Sequence, residues 1–141
     1  MKSIVRTTAL VLLSVILVLS FASCKDDKNV DVWDSAIYTE DTALGEGETT
    51  FTVVVEALEK SVTFTVNTNE ATVGAALLDC ALIEGDEGAY GLYIKKVNGI
   101  LADYDINQRY WAFYINDEYA MSGVDTTNIE DGVTYKLEYA Q

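Results

Sequence analysis

Residues 49–80 read TTFTVVVEALEKSVTFTVNTNEATVGAALLDC, and the fold turns on a change of period inside them. Phe51, Val53, Val55 and Ala57 alternate with Thr52, Val54 and Glu56, and Val62, Phe64 and Val66 alternate with Thr63 and Thr65. Successive side chains of a strand point to opposite faces, so the pattern gives each of two strands one apolar face. Leu58-Glu59-Lys60 between them is short enough for a hairpin. The period then lengthens. Val73, Ala76, Leu77 and Cys80 stand at i, i+3, i+4 and i+7, the stripe of an amphipathic helix. Thr72 is the expected N-cap and Gly85 the expected stop. Cys80 on the stripe reads as a small buried hydrophobe rather than a nucleophile, because nothing near it would lower its pKa.

Towards the C-terminus the alternation returns. Tyr90 to Val97 runs into Asn98-Gly99, a strong tight-turn signal. Tyr110 to Ile115 puts Trp111, Phe113 and Ile115 on one side and Tyr110, Ala112 and Tyr114 on the other; Asn116-Asp117 marks the next turn. Asp131-Gly132 introduces a last strand on which Val133, Tyr135, Leu137 and Tyr139 share a face. Two strands, one helix and several further strands predict an α+β fold, one helix packed on a mixed β-sheet.

The stretches GLYIKKVNGI (91–100) and RYWAFYINDEYAMSGVDTTNIEDGVTYKLEY (109–139) carry a family resemblance. Asn98-Gly99, Tyr110-Trp111, Asn116-Asp117, Gly123-Val124-Asp125 and Asp131-Gly132 follow one another as in the transcobalamin-like C-terminal domain, also catalogued as DUF4430. Asp117 stands where that family usually has glycine. The resemblance covers residues 49–141 and implies a β-grasp-like fold of the soluble-ligand-binding kind. In the vitamin B12 carriers such a domain forms the smaller half of a clamp around cobalamin; the α/α barrel of the other half has no counterpart here.

Nine tyrosines and two tryptophans are many for 141 residues. Flat ligands such as a corrin ring favour aromatic and apolar walls. Tyr90, Tyr93, Tyr110 and Tyr114 are therefore the expected ligand rim, the other reading being that they fill a half-wet sheet face, as strand propensity favours. Trp111 belongs to the core by its face. Asp125, Glu130 and Asp131 invite calcium, but their spacing is not that of an EF-hand loop. Asp131-Gly132 is better explained as a turn, and no metal site is expected.

The N-terminus speaks for location. Lys2 and Arg6 precede an apolar run from Ala9 to Phe21, broken only by Ser14 and Ser20. These are the charged and apolar regions of a secretory signal, short for a membrane span. Ala22-Ser23-Cys24 then looks like the lipobox of a bacterial lipoprotein, with Phe21 for the usual leucine. That resemblance implies cleavage before Cys24, lipidation of its thiol, and anchoring outside the cytoplasm; two or more acyl chains hold firmly. The expected organisation is a signal peptide over 1–23, an acidic lipid-anchored tether over 24–48, in which Trp33, Ile37 and Tyr38 could add a first short strand, and one domain over 49–141.

Without residues 1–23 the chain has 7 basic and 23 acidic side chains, a net charge of −16. Such a field repels nucleic acid. The chain has no histidine, which removes the usual general base and every Ser-His or Cys-His arrangement. Nor could it place an imidazole on cobalt. With Cys24 acylated, Cys80 is left without a disulfide partner. No enzyme is expected and no cofactor of its own. Two functions remain. One is a surface-anchored binder of a small molecule, cobalamin or another corrinoid, for capture or uptake with a membrane transporter. The other is a cell-envelope module that binds another envelope protein and no small molecule.

Overall fold

The computed structural model describes residues 30–141. The expected signal segment and Cys24 lie outside them. Nine strands form among the described residues: β1 (Thr42–Leu44), β2 (Thr49–Ala57), β3 (Lys60–Thr68), β4 (Ile83–Gly88), β5 (Gly91–Val97), β6 (Ile100–Leu101), β7 (Tyr110–Ile115), β8 (Glu118–Tyr119) and β9 (Thr134–Ala140). One helix, α1 (Val73–Asp79), follows β3, and a single helical turn spans Tyr104–Asn107. The larger sheet has the order β1-β3-β2-β9-β7-β8 and is mixed, with β1–β3 and β2–β9 parallel. Strands β4, β5 and β6 make a second, antiparallel sheet. This is the α+β arrangement expected from the sequence, with a small sheet added.

The alternation becomes core through register. Phe64, Val53, Tyr135 and Ile115 lie on one rung, and Val62, Val55, Leu137 and Phe113 on another. Nearly all these side chains are buried, in one cluster with Val73, Ala76 and Leu77 of α1 and Ile83, Ile94, Val97 and Ile100 of the small sheet. Burial of such side chains is worth roughly 1.5–3 kcal/mol each, before entropy is counted. Trp111 is core, as its face implied.

Helix α1 begins where expected: the Thr72 hydroxyl accepts from the Ala75 N–H at 3.3 Å. It ends earlier than expected. Ala81 takes a left-handed φ of 56°, the Leu82 N–H donates to the Leu77 carbonyl at 2.9 Å, and Leu82 turns into the core. Gly85 is not the stop. It lies in β4 at a register shift, where a Cβ would come within 2.2 Å of the Tyr93 carbonyl oxygen. Cys80 is half-buried, and its burial raises the thiol pKa, which leaves it a poor nucleophile.

The tether boundary also shifts. Residues 31–141 form one compact unit. Trp33, in a 3-10 turn over Val32–Ser35, is buried, and its indole N–H donates to the Ala57 carbonyl at 2.9 Å. Strand β1 pairs with β3 at the sheet edge. Residues 31–48 thus belong to the domain, because one buried tryptophan and a strand edge outweigh the polar composition around them. The first strand is Thr42–Leu44, not the segment carrying Trp33 and Tyr38.

Candidate functional site

The β7–β8 hairpin turns on Asn116 and Asp117, both left-handed, with φ of 49° and 65°. Asn and Asp tolerate that region best among residues with a Cβ, and a two-residue turn of this hand matches the strand twist. Asparagine also works as a clasp. Its N–H donates to the Thr134 carbonyl at 2.8 Å, and its Oδ1 accepts from the Thr134 N–H at 3.1 Å. Aspartate in the glycine position therefore leaves the turn intact.

The clasp fixes which residues of the hairpin meet. Tyr114 is opposite Tyr119, and their rings pack edge to face with centroids 5.5 Å apart. Lys136, next to Tyr114 on β9, holds its ammonium 4.5 Å from the Tyr114 ring centre. Such a cation–π contact needs the ammonium to stay charged. Burial pushes the Lys136 pKa down, but the hydrogen bond its ammonium donates to Glu138 and the charges of Glu56, Glu138 and Asp117 outweigh it, so the net direction is upward. Its Nζ lies 3.2 Å from Glu138 and 3.8 Å from Glu56.

Beside the tyrosine pair is an open hollow of about 470 Å³ lined by Ile115, Asn116, Glu118, Tyr119, Ala120 and Met121. Tyr119 is 59% exposed and Met121 99%. An exposed aromatic ring and an exposed thioether, beside Ile115 and Ala120 and the polar Asn116 and Glu118, make a contact surface for a partly apolar body. No acid, base and nucleophile converge there. Among the described residues no group of His, Cys, Asp and Glu is placed to hold a metal, and no helix is long and apolar enough to cross a membrane.

The four expected rim tyrosines are divided between the sheets. Tyr110 and Tyr114 share the face of β7 turned away from the core, with Ala112 between them. Tyr93 is on β5 of the small sheet, its hydroxyl accepting from the Tyr104 N–H at 3.4 Å. Tyr90 is fully exposed at the β4–β5 turn. That turn is held next to the hollow's own loop. The Asp125 carboxylate lies so close to Gly91 and to Gly123 that a Cβ on either would come within 2.6 or 2.7 Å of it. Tyr119 and Met121 were not among the expected residues. The signal for Tyr119 was present, because a two-residue turn at 116–117 places residue 119 opposite Tyr114.

Comparison with known proteins agrees with this architecture. Residues 47–140 match the family described as a domain of unknown function, DUF4430. A crystal structure of a candidate metal-binding protein from Ruminococcus gnavus ATCC 29149 superposes with a TM-score of 0.62 at 28% identity, over 67% of this chain and 98% of that one. Haptocorrin in complex with Cbi superposes with a TM-score of 0.51 at 15% identity. That match takes in 69% of this chain and 26% of haptocorrin, and what it shows is a shared fold. No curated protein matches the chain. The chain belongs to the DUF4430 family.

Proposed function

We propose that this chain is a non-catalytic, lipid-anchored binding protein of the cell envelope, and that it takes a small, partly apolar molecule, a corrinoid above all, at the β7–β8 hairpin. The observation that carries the reading is the Tyr114–Tyr119 pair with Met121 over the hollow. Large rings held by two torsions lose little entropy on binding, and the Asn116–Thr134 clasp presets their position. Likeness to a corrinoid-bound carrier supports the ligand class. The mixed sheet with α1 in its core supports the β-grasp reading of the fold. The lipobox ending at Cys24 supports anchoring on the outer side of the membrane and delivery to a transporter.

The matched region is about a quarter of haptocorrin, so a ligand seated here is covered from one side. Uncovered apolar surface contributes nothing, and the isolated domain binds modestly until a second protein closes over it. Titration of residues 25–141 with cobalamin and with cobinamide by calorimetry tests the reading. Saturable heat, with micromolar to millimolar affinity, supports it. No heat with either corrinoid, alone or with neighbouring envelope proteins, replaces it with the protein–protein interaction module.

A further inference from the structure

An open sheet ends in edge strands, whose outward N–H and C=O groups have no neighbouring strand to bond. The two sheets have four such ends: β1 and β8 in the larger, β4 and β6 in the smaller. Three of these strands are short, with 3 residues in β1 and 2 each in β8 and β6. Strand β4 has 6, and it pairs along one side only, with β5. Among the described residues no backbone group outside that pairing bonds to the backbone of residues 83–88. Ile83 is buried and Gly85 half-buried, but Glu84, Asp86, Glu87 and Gly88 are exposed.

Shortness protects an edge from unwanted pairing, and so does charge. Strand β4 has only charge, and all of it is acidic. Lys96 and Lys95 of β5 lie 3.2 and 2.7 Å from Glu84 and Asp86, yet these two carboxylates remain 63% and 70% exposed. Lys95 is shared with Asp103, at 3.3 Å. Exposed pairs of this kind contribute little, so a further cation can join them at small cost.

The sign of the charge selects the occupant. A second copy brought edge to edge sets Glu84, Asp86 and Glu87 against acidic counterparts, and like charges across paired strands repel. Nor has this chain a basic strand to offer. Of the five basic side chains among the described residues, Lys60, Lys95, Lys96 and Lys136 already lie against carboxylates, and Arg109 lies over the Tyr139 ring. An extended segment with lysine or arginine at alternate positions meets neither obstacle.

We propose that the β4 edge is a docking site for an extended basic segment of another protein, which joins the small sheet as a fourth strand. In such an arrangement main-chain hydrogen bonds supply affinity, and charge supplies the choice of partner. The edge belongs to a different sheet from the Tyr114–Tyr119 pair, so the proposal does not rest on the corrinoid reading.

The test mixes the whole chain, in a neutral detergent, with the peptide acetyl-Lys-Val-Lys-Val-Lys-Val-Lys-amide and follows amide hydrogen exchange over residues 83–88. One control peptide has glutamate for every lysine. Another has proline for every valine, and proline has no N–H to give to a ladder. In the free chain the outward amides of β4 should exchange fast, and the lysine–valine peptide should slow them at least about tenfold at saturation. Neither control should do so. Added salt should weaken the binding, and Glu84→Gln, Asp86→Asn and Glu87→Gln together should weaken it at least about threefold. Slow exchange in the free chain would mean that the edge is already covered. Protection that grows with protein concentration in the absence of peptide would make the occupant a second copy. Either result overturns the proposal, as does an equal effect of either control peptide or no protection of β4 by the lysine–valine peptide.

Discussion

Asn98 holds Tyr38 by both of its backbone polar groups. The Asn98 Oδ1 accepts from the Tyr38 N–H at 2.9 Å, and its Nδ2 donates to the Tyr38 carbonyl at 2.8 Å. The Asn98 backbone adds bonds from Ile37 N–H to its carbonyl and from its own N–H to Leu82. Asn98 is wholly buried with a φ of 52°, and the neighbouring Gly99 passes so close to Ser35 that a Cβ would meet its carbonyl oxygen at 2.4 Å. The Asn98-Gly99 turn is therefore also the socket for the N-terminal segment.

Asn98→Ala leaves two backbone groups unpaired, at roughly 1–3 kcal/mol each, and should cost about 2–4 kcal/mol in urea unfolding. Asn98→Asp keeps the acceptor and sets a carboxylate against the Tyr38 carbonyl. Its folded pKa is then raised, so the variant is most stable below the unfolded value and loses stability as pH rises through the folded one. A variant as stable as wild type at neutral pH would show that the socket carries little.

The end of α1 offers a change in the other direction. Ala81 occupies the left-handed region, which costs a residue with a Cβ roughly 1–2 kcal/mol. Ala81→Gly relieves that strain and pays some unfolded-state entropy. A net gain of about 0.5–1 kcal/mol is expected, read as a higher denaturation midpoint at unchanged slope.

Trp111 lies edge to face with Tyr139, 5.6 Å between centroids, and its Nε1 is buried without a hydrogen-bond partner among the described residues. Trp111→Ala should cost about 3–5 kcal/mol, as large buried aromatics do. Trp111→Phe keeps much of the apolar contact and removes the unpaired donor, so it should cost well under half as much. Equal losses for both would mean that indole shape, not area, sets the energy.

Much of this core was legible before the structure. Alternation placed β2, β3, β7 and β9, and Thr72 placed the start of α1, because strand and cap signals act over a few residues. What escaped depends on contacts distant in sequence. Trp33 stands in an acidic stretch with no apolar period, so the sequence offers it only as part of a short strand, and its burial and its bond to Ala57 show that it is core. Gly85 looked like a helix stop, since a register shift in β4 cannot be read from one strand alone. Tyr90, Tyr93, Tyr110 and Tyr114 share a residue type that suits a flat ligand, but sheet register decides which rings meet.

The outer face of the larger sheet should respond to alkaline pH. Lys136 has its pKa raised in the fold by Glu138, Glu56 and Asp117 against the effect of burial. A raised folded value means stability fully present below the unfolded value of roughly 10.4 and lost as pH rises through the folded one. Lys136→Gln should flatten that alkaline decline and leave Glu56 and Glu138 without their cation. Stability measured from pH 8 to 11.5 checks it; parallel curves for variant and wild type would place the decline in other groups.

Binding should separate the tyrosines by sheet. Tyr114 and Tyr119 pack together next to the hollow. Tyr93 has its hydroxyl towards the Tyr104 N–H, and Tyr110 shares the outward face of β7 but lies four residues from Tyr114 towards the other end of the strand. A ligand seated at the hairpin loses both of its rings in the double change Tyr114→Ala with Tyr119→Ala. Corrinoid affinity should then fall at least about tenfold, a loss of 1.4 kcal/mol or more. The fold should stay intact, since Tyr119 is exposed and Tyr114 is on the face away from the core. Tyr93→Ala should change affinity by less than about twofold, under roughly 0.4 kcal/mol. Tyr90→Ala distinguishes the reach of the site, because the Asp125 carboxylate holds its turn against the loop that carries Met121. A moderate loss there would mean that the ligand spans from the β7–β8 hairpin to the β4–β5 turn. Loss of binding in Tyr93→Ala with the Tyr114–Tyr119 double variant unaffected would move the site to the small sheet.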